Sequence, residues 1–263
     1  MKLSAVNFLM LQAKMSFKQL LVYRMSTMMI VIFGFLSVFS EYLVINVYFS
    51  FDTEIEGWTK DAFLILFGTF NCMVVLYQFL FEIGHDQFAY KVKYGELDFD
   101  ILRPYDTMFL SSFSQFEYAA LTNLILPIYF IYAGIIGTQI ELSPLIISMF
   151  FLSILLGTYV IYLLNQLFIT LSFWLSNFSN FYHLTETAVQ LGSKPIQVYP
   201  WLIQLTFGLF LPIIVALNLP ANVLLGHVSF TQVAIMLLGI CLLTITTRLI
   251  WNIGLNRYSS ASS

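Results

Sequence analysis

The chain has 263 residues, of which 59% are hydrophobic and 10% charged, with a net charge of −3 and a mean hydropathy of +0.86. A soluble domain carries roughly 25% charged residues, so this composition excludes a water-soluble globule and predicts an all-α integral membrane protein. The acidic balance, with a pI of about 5.5, offers no basic face to nucleic acid.

In chain order, residues 1–19 are predicted to form an amphipathic helix in the headgroup plane. Val6, Met10, Ala13, Phe17, Leu20 and Leu21 share one helical stripe, with Lys14 and Lys18 on its flank. Lys14, Lys18 and Arg24 fall where a cleavable signal needs an uninterrupted apolar core, so no such signal is expected. Six stretches then approach the roughly 20 apolar residues that a spanning helix needs. They run over about 20–48, 62–81, 116–136, 144–174, 201–217 (interrupted by Pro212) and 230–251. Ser114 with Glu117, and Ser229 with Gln232, have capping-box spacing. Ser143-Pro144 and Tyr199-Pro200 place proline at a first helical position.

Lys and Arg set the orientation. Lys2, Lys14, Lys18 and Arg24 precede or open the first span, and Lys91, Lys93 and Arg103 follow the second. Lys194 follows the fourth, and Arg248 and Arg257 close the chain, leaving only Lys60 outside. Both termini are therefore expected in the cytoplasm of a multi-pass protein of the cell (inner, cytoplasmic) membrane. Residues 82–115 are expected to form one cytoplasmic loop and residues 177–198 a second, within a single transmembrane domain of residues 1–263.

Polar residues within the spans are few. Glu41 is the acidic residue deepest in a predicted span, where carboxylates are costly and often functional, although it sits toward the outer end. Asn71, Gln78, Asn123, Asn165, Gln166 and Gln204 read as interhelical hydrogen-bond formers. Pro127 and Pro212 are expected to kink their helices, and the kinked fifth span, with Pro212, is a candidate pathway element alongside Glu41. Cys72 and Cys241 lie in apolar runs and read as buried thiols. His85, His183 and His227 are scattered at predicted membrane edges with no metal-binding spacing. No catalytic, cofactor or metal site is predicted, and there is no G-x-x-x-x-G-K-[ST], so any ATP chemistry needs another subunit.

The loop after the second span is the most informative segment. It reads KVKYGELDFDILRPYD over residues 91–106. Leu97 and Ile101 are four apart and share a face of a short helix that Pro104 stops. Glu96, Asp98 and Asp100 add charge, a mixture suited to docking a soluble partner.

Here the chain resembles the permease subunits of ABC type-2 exporters. Gly95, Leu97, Asp98, Leu102, Arg103 and Pro104 are similar to the G-x-L-D-x-x-x-L-R-P pattern of that family, and Trp251, Gly254, Leu255, Tyr258 and Ser259 to its W-x-x-G-L-x-x-Y-S ending. Phe173-Trp174, Tyr199-Pro200, Leu211-Pro212 and Leu219-Pro220-Ala221 are similar too. The resemblance implies a six-helix type-2 exporter permease fold that pairs with a second copy or a related permease. It implies no cofactor on this chain, with ATP and Mg held by separate ATPase subunits docked on the cytoplasmic side. Gly95, Glu96, Leu97, Asp98, Asp100, Ile101, Leu102, Arg103 and Pro104, with the amphipathic start, would then be coupling elements. Helices one, two and five would line the pathway. An ion-coupled secondary transporter would instead predict paired broken helices and a repeat, and a membrane-embedded enzyme or assembly factor would predict clustered polar residues at one face.

Overall fold

The computed structural model describes residues 5–175, 179–210 and 212–258, with side chains described outside 179–183 and 209–210. Lys2, Asn177, Leu211, Ser259 and the side chain of His183 lie outside the described residues.

Helix α1 (Ala5–Val22) breaks at Tyr23 from α2 (Arg24–Phe51). A tight antiparallel hairpin pairs β1 (Glu54–Ile55) with β2 (Trp58–Thr59), turning through Glu56 and Gly57, both at positive φ. Helix α3 (Lys60–Tyr77), whose Thr59 side chain caps its start, widens into a π turn (Gln78–Glu82) and continues as α4 (Ile83–Tyr94). Residues 82–115 are thus not one loop: 83–94 extend the second span. Short helices α5 (Leu97–Ile101) and α6 (Thr107–Ser112) follow. A 3-10 segment (Tyr118–Leu124) leads into α7 (Ile125–Thr138), and Ser143 caps α8 (Pro144–Thr170) with Pro144 in its first turn. The capping box at Ser229 and Gln232 opens the last helix, Phe230–Arg257. The one expected at Ser114 and Glu117 does not form, because Glu117 itself caps the 3-10 segment.

Among the described residues five helices are long and apolar enough to cross a membrane, and six if the bent pair Trp201–Gly208 and Ile213–Leu225 is one span. The tightest pair is α3 with α7. Gly68 lies against the Pro127 carbonyl and Gly134 against that of Asp61, so that two glycines allow close backbone approach, as small residues do between membrane helices. Pro127 sits in the first turn of α7, after the 3-10 segment, where it needs no interior kink.

The region of the fifth span departs from expectation. Helix α9 (Ser179–Gln190) is no loop. It packs on α8 and on the later helix at Ile213–Leu225, with Val189 in the core, and the turn that follows brings Gly192 against Leu217. The Asn218 side chain then accepts from the Ile196 N–H and donates to the Gly192 and Lys194 carbonyls. The expected fifth span becomes a bent pair. A short helix, α10 (Trp201–Ile203), runs on through a π segment (Gln204–Phe210), and α11 (Ile213–Leu225) leaves it at 88°. Both ends of this pair lie at the hairpin end of the bundle, since Ile196 and Gln197 before it, Asn222 in its last turn and His227 after it border one cavity with Trp58. The two ends of the pair thus meet at one end of the bundle, and α9 with the turns after it leads there from the end of α8, ahead of the final helix, α12 (Phe230–Arg257). Hydropathy hides α9 because its polar side faces a cleft inside the bundle. Lys194 accordingly lies in the hairpin-side half.

Candidate functional site

Two features could carry function: a polar cleft within the bundle and the end opposite the hairpin.

The cleft lies between α2, α3, α8 and α9, with a volume of about 240 Å³. Glu41 lines it from α2, Asn71 and Gln78 from the α3 span, Asn165 from α8, and Glu186 and Gln190 from α9. Glu41 is ten residues from the hairpin end of α2, about 15 Å at the helical rise, so it faces this cleft rather than water at the membrane edge. A second chamber of about 370 Å³ shares Gly34, Gln78, Glu82 and Asn123 with the first and extends past Asp86 and Glu117. The π turn lies at the junction. Its extra residue re-aims the helix where Gln78 and Glu82 enter the wall, a placement common at functional sites. Gly34 matters there too, since a Cβ on it would meet the Asn123 amide.

Asn71 and Asn165 do not bridge helices. Each donates its NH₂ to the carbonyl four residues earlier in its own helix, Phe67 at 2.9 Å and Ile161 at 3.0 Å. Gln166 does bridge, accepting from Ser112 Oγ at 3.1 Å and bonding His85 Nε2 at 3.1 Å, while His85 Nδ1 bonds Tyr77 Oη at 2.9 Å. His85 is therefore a buried helix tie rather than an edge residue. Asn123 reaches the Ile30 carbonyl at 3.5 Å, and Gln204 bonds Tyr199 next to its own helix. Cys72 is buried, but Cys241 is exposed on the outside of the bundle. Pro212 does not line the cleft; it caps α11 and abuts Gly239 of α12. Sequence reasoning undervalued Asn71, Gln78 and Glu82. Their i, i+7, i+11 spacing puts them on one face, and that spacing was available.

At the opposite end, segments distant in sequence meet. Gly95 ends α4 in the left-handed conformation (φ 76°), which a glycine adopts without a Cβ penalty. Leu97 is fully buried in a cluster with Phe88, Ile169 and Trp251, with Phe173, Leu255 and Tyr258 against it. The Trp251 ring lies tilted at 4.9 Å from Phe88 and edge-to-face at 5.5 Å from Phe173, and Gly254 leaves room for the Phe173 ring. Asp98 faces Tyr258, whose hydroxyl pKa is raised by burial and further by that carboxylate. Asp100 is buried between Lys91 at 2.9 Å and Arg103 at 3.4 Å. Arg248 pairs with Asp106, and its guanidinium holds that carboxyl below the usual range. Phe99 and Leu102 point outward, 68% and 83% exposed, with Ile101, Glu96, Arg103 and Pro104 exposed beside them.

Helix α1 docks at this same end. Ser16 Oγ accepts from the Phe116 N–H at 2.9 Å, and the Phe8 ring lies 5.6 Å from Tyr105. Val6, Met10, Phe17 and Leu21 stay exposed, as do Lys14 and Lys18, although the Phe17 ring also edges onto Tyr118 at 5.6 Å.

No curated protein and no solved structure matches the chain. One family model does, described as ABC-2 family transporter protein, over residues 35–262. That match spans most of the chain and includes the lining of the cleft apart from Ile30 and Gly34 and the whole Leu97–Trp251 cluster, and with the apolar helices it establishes that this chain belongs to the ABC-2 transporter family, whose members are membrane permeases of ABC transporters.

Proposed function

We propose that the chain is the permease half of an ATP-driven exporter, coupled to separate ATPase subunits through the end that carries α5. One observation carries this reading. The buried Leu97 and Asp100, with the left-handed Gly95 before them, fix α5 to the ends of α4, α8 and α12, while Phe99 and Leu102 stand exposed among charges. An apolar pair on a helix rigidly joined to three spans is what a soluble partner needs to move them, and such movement biases a two-state pathway through differential contacts.

This end is cytoplasmic in the proposal. Lys14, Lys18, Arg24, Lys91, Lys93, Arg103, Arg248 and Arg257 gather there, against Lys60 and Lys194 toward the hairpin. The second chamber of the cleft extends toward the same end, to the exposed Asp86, which supports loading from the ATPase side and hence export. Helix α2 buries only Val38 and Ile45 fully, leaving an apolar face for lipid or for a second permease, either a copy or a relative. ATP and Mg belong to the partner ATPase. The amphipathic stripe of α1, with Phe17, Lys14 and Lys18, lies along the cytoplasmic leaflet.

Charge reversal tests the contact. Arg103→Glu and Asp98→Lys should each reduce the ATPase recovered with the tagged chain while the permease elutes unchanged on size exclusion. Undiminished recovery with both variants would sink the assignment of α5.

A further inference from the structure

We propose that the π turn at Gln78–Glu82 is a two-state hinge, tied in its present place by His85, through which movement of the docking end reshapes the wall of the cleft. The proposal rests on the permease reading above and deepens it. A π turn carries one residue more than the α-helix around it and is frequent at functional sites. That extra residue can pass along a helix without unseating the helix on either side. Only the residues it passes rotate, by about 100°, the angle of one α-helical residue. Gln78 and Glu82 line both chambers at their junction, so such a shift turns them in the wall.

The contacts that hold the turn come from outside it. The Tyr77 hydroxyl, just before the turn, bonds His85 Nδ1, just after it, at 2.9 Å. Within the turn, the Phe79 carbonyl accepts from the Glu117 N–H at 3.0 Å. Glu117 opens the 3-10 segment Tyr118–Leu124, seven residues in a geometry seldom kept beyond three or four and often found at hinges. An overwound and an underwound stretch are thus bonded to each other. His85 Nε2 bonds Gln166 Oε1 at 3.1 Å, and Ser112 Oγ donates to that same oxygen at 3.1 Å. Ser112 ends α6, whose other end is capped by Asp106, the partner of Arg248. Gly84, beside His85, lets α4 close onto the Ser111 carbonyl, so a shift of α6 carries α4 with it. The docking end is therefore joined to the turn through contiguous contacts. The present arrangement is also incompletely satisfied. The Gln166 NH₂ is fully buried and has no partner among the described residues, a costly state. A shift that gives it one offsets the loss of the His85 bond, which keeps two arrangements close in free energy.

The test labels Gln78→Cys with a water-soluble maleimide in the full-length chain in lipid nanodiscs, with Cys241→Ser removing the exposed native thiol. No ATPase is present. The minor state of such an element is populated to about 10% at most, and one lost buried hydrogen bond shifts the balance about tenfold. Tyr77→Phe or Ser112→Ala alone should then slow labelling about twofold, because the shift turns position 78 out of the cleft. The two together should slow it about tenfold. Thr244→Val, which breaks a 3.1 Å bond from Tyr159 elsewhere in the bundle, should leave the rate unchanged. Simple fraying of the turn would instead speed labelling. A double variant that labels faster than the Gln78→Cys chain, or within about twofold of it, would overturn the proposal. So would equal slowing by Thr244→Val, or a Gln78→Cys chain that does not label at all. Because no ATPase is present, failure here leaves the coupling assignment standing, and failure of ATPase recovery leaves the hinge standing.

Discussion

Removing the anchor of α5 separates its attachment from its docking surface. The helix has five residues, far below the roughly 12–15 at which isolated helices become even marginally stable, so its order comes from tertiary contacts. Leu97 supplies the apolar one, fully buried against Phe88, Ile169 and Trp251. Leu97→Ala leaves a cavity there and should cost about 2–5 kcal/mol. Converted at about 1.4 kcal/mol per factor of ten, amides 98–102 should exchange with deuterium roughly thirtyfold to a few thousandfold faster. Leu102 is 83% exposed, so Leu102→Ala removes almost no packing and should change exchange by about twofold at most. Hydrogen–deuterium exchange on the chain in nanodiscs reads both, and recovery of the ATPase should fall for both variants, by different routes. If Leu97→Ala leaves exchange of 98–102 within twofold of wild type, the anchoring argument is wrong.

Other outcomes follow from single contacts. A Cβ at Gly68 would stand 2.6 Å from the Pro127 carbonyl oxygen, which is backbone and cannot swing away. Gly68→Ala should therefore destabilise by about 1–3 kcal/mol, seen as a lower thermal midpoint in detergent, and an unchanged midpoint would contradict the close α3–α7 approach. Asp106 is held below the ordinary carboxylate range by Arg248, so its stabilisation is present at neutral pH and is lost only as pH falls through that lowered value. Both side chains are well exposed, at 46% and 43%, which limits the pair to about 1 kcal/mol. Midpoints of wild type and Asp106→Asn should differ by at most a few degrees at pH 7 and converge in acid; a difference independent of pH would refute the linkage.

Much of the fold was legible because a bilayer imposes length and apolarity on each span, and the runs near 24–51, 144–173 and 230–257 carry both. The glycine, aromatic and acidic positions of the 91–106 loop and of the chain end were legible as separate motifs. Their meeting was not, since nothing local says that Leu97 touches Trp251 or that Asp98 faces Tyr258. The sequence of helix α9 reads as a loop because Thr185, Glu186 and Gln190 lower its hydropathy. They do so because they face Asn71 and Asn165 across a polar cleft rather than lipid. Conversely, the apolar run over 201–225 reads as one straight span, yet its two helical parts, Trp201–Gly208 and Ile213–Leu225, stand at 88° to each other. Hydropathy reports what surrounds a residue, so an internal cleft inverts that signal and a bend within an apolar run does not register in it. The roles of Asn71 and Asn165 depend on where their NH₂ groups go, which only geometry shows.

The most direct measurement is affinity purification of the tagged full-length chain in mild detergent and in nanodiscs, with co-purifying subunits identified by mass spectrometry. A P-loop ATPase recovered in near-stoichiometric amount from wild type, and lost with Arg103→Glu and Leu102→Ala, is the result this account predicts; a second permease in the same sample would define the pair. A chain that purifies alone in both environments, with no ATPase at any stoichiometry, would contradict it.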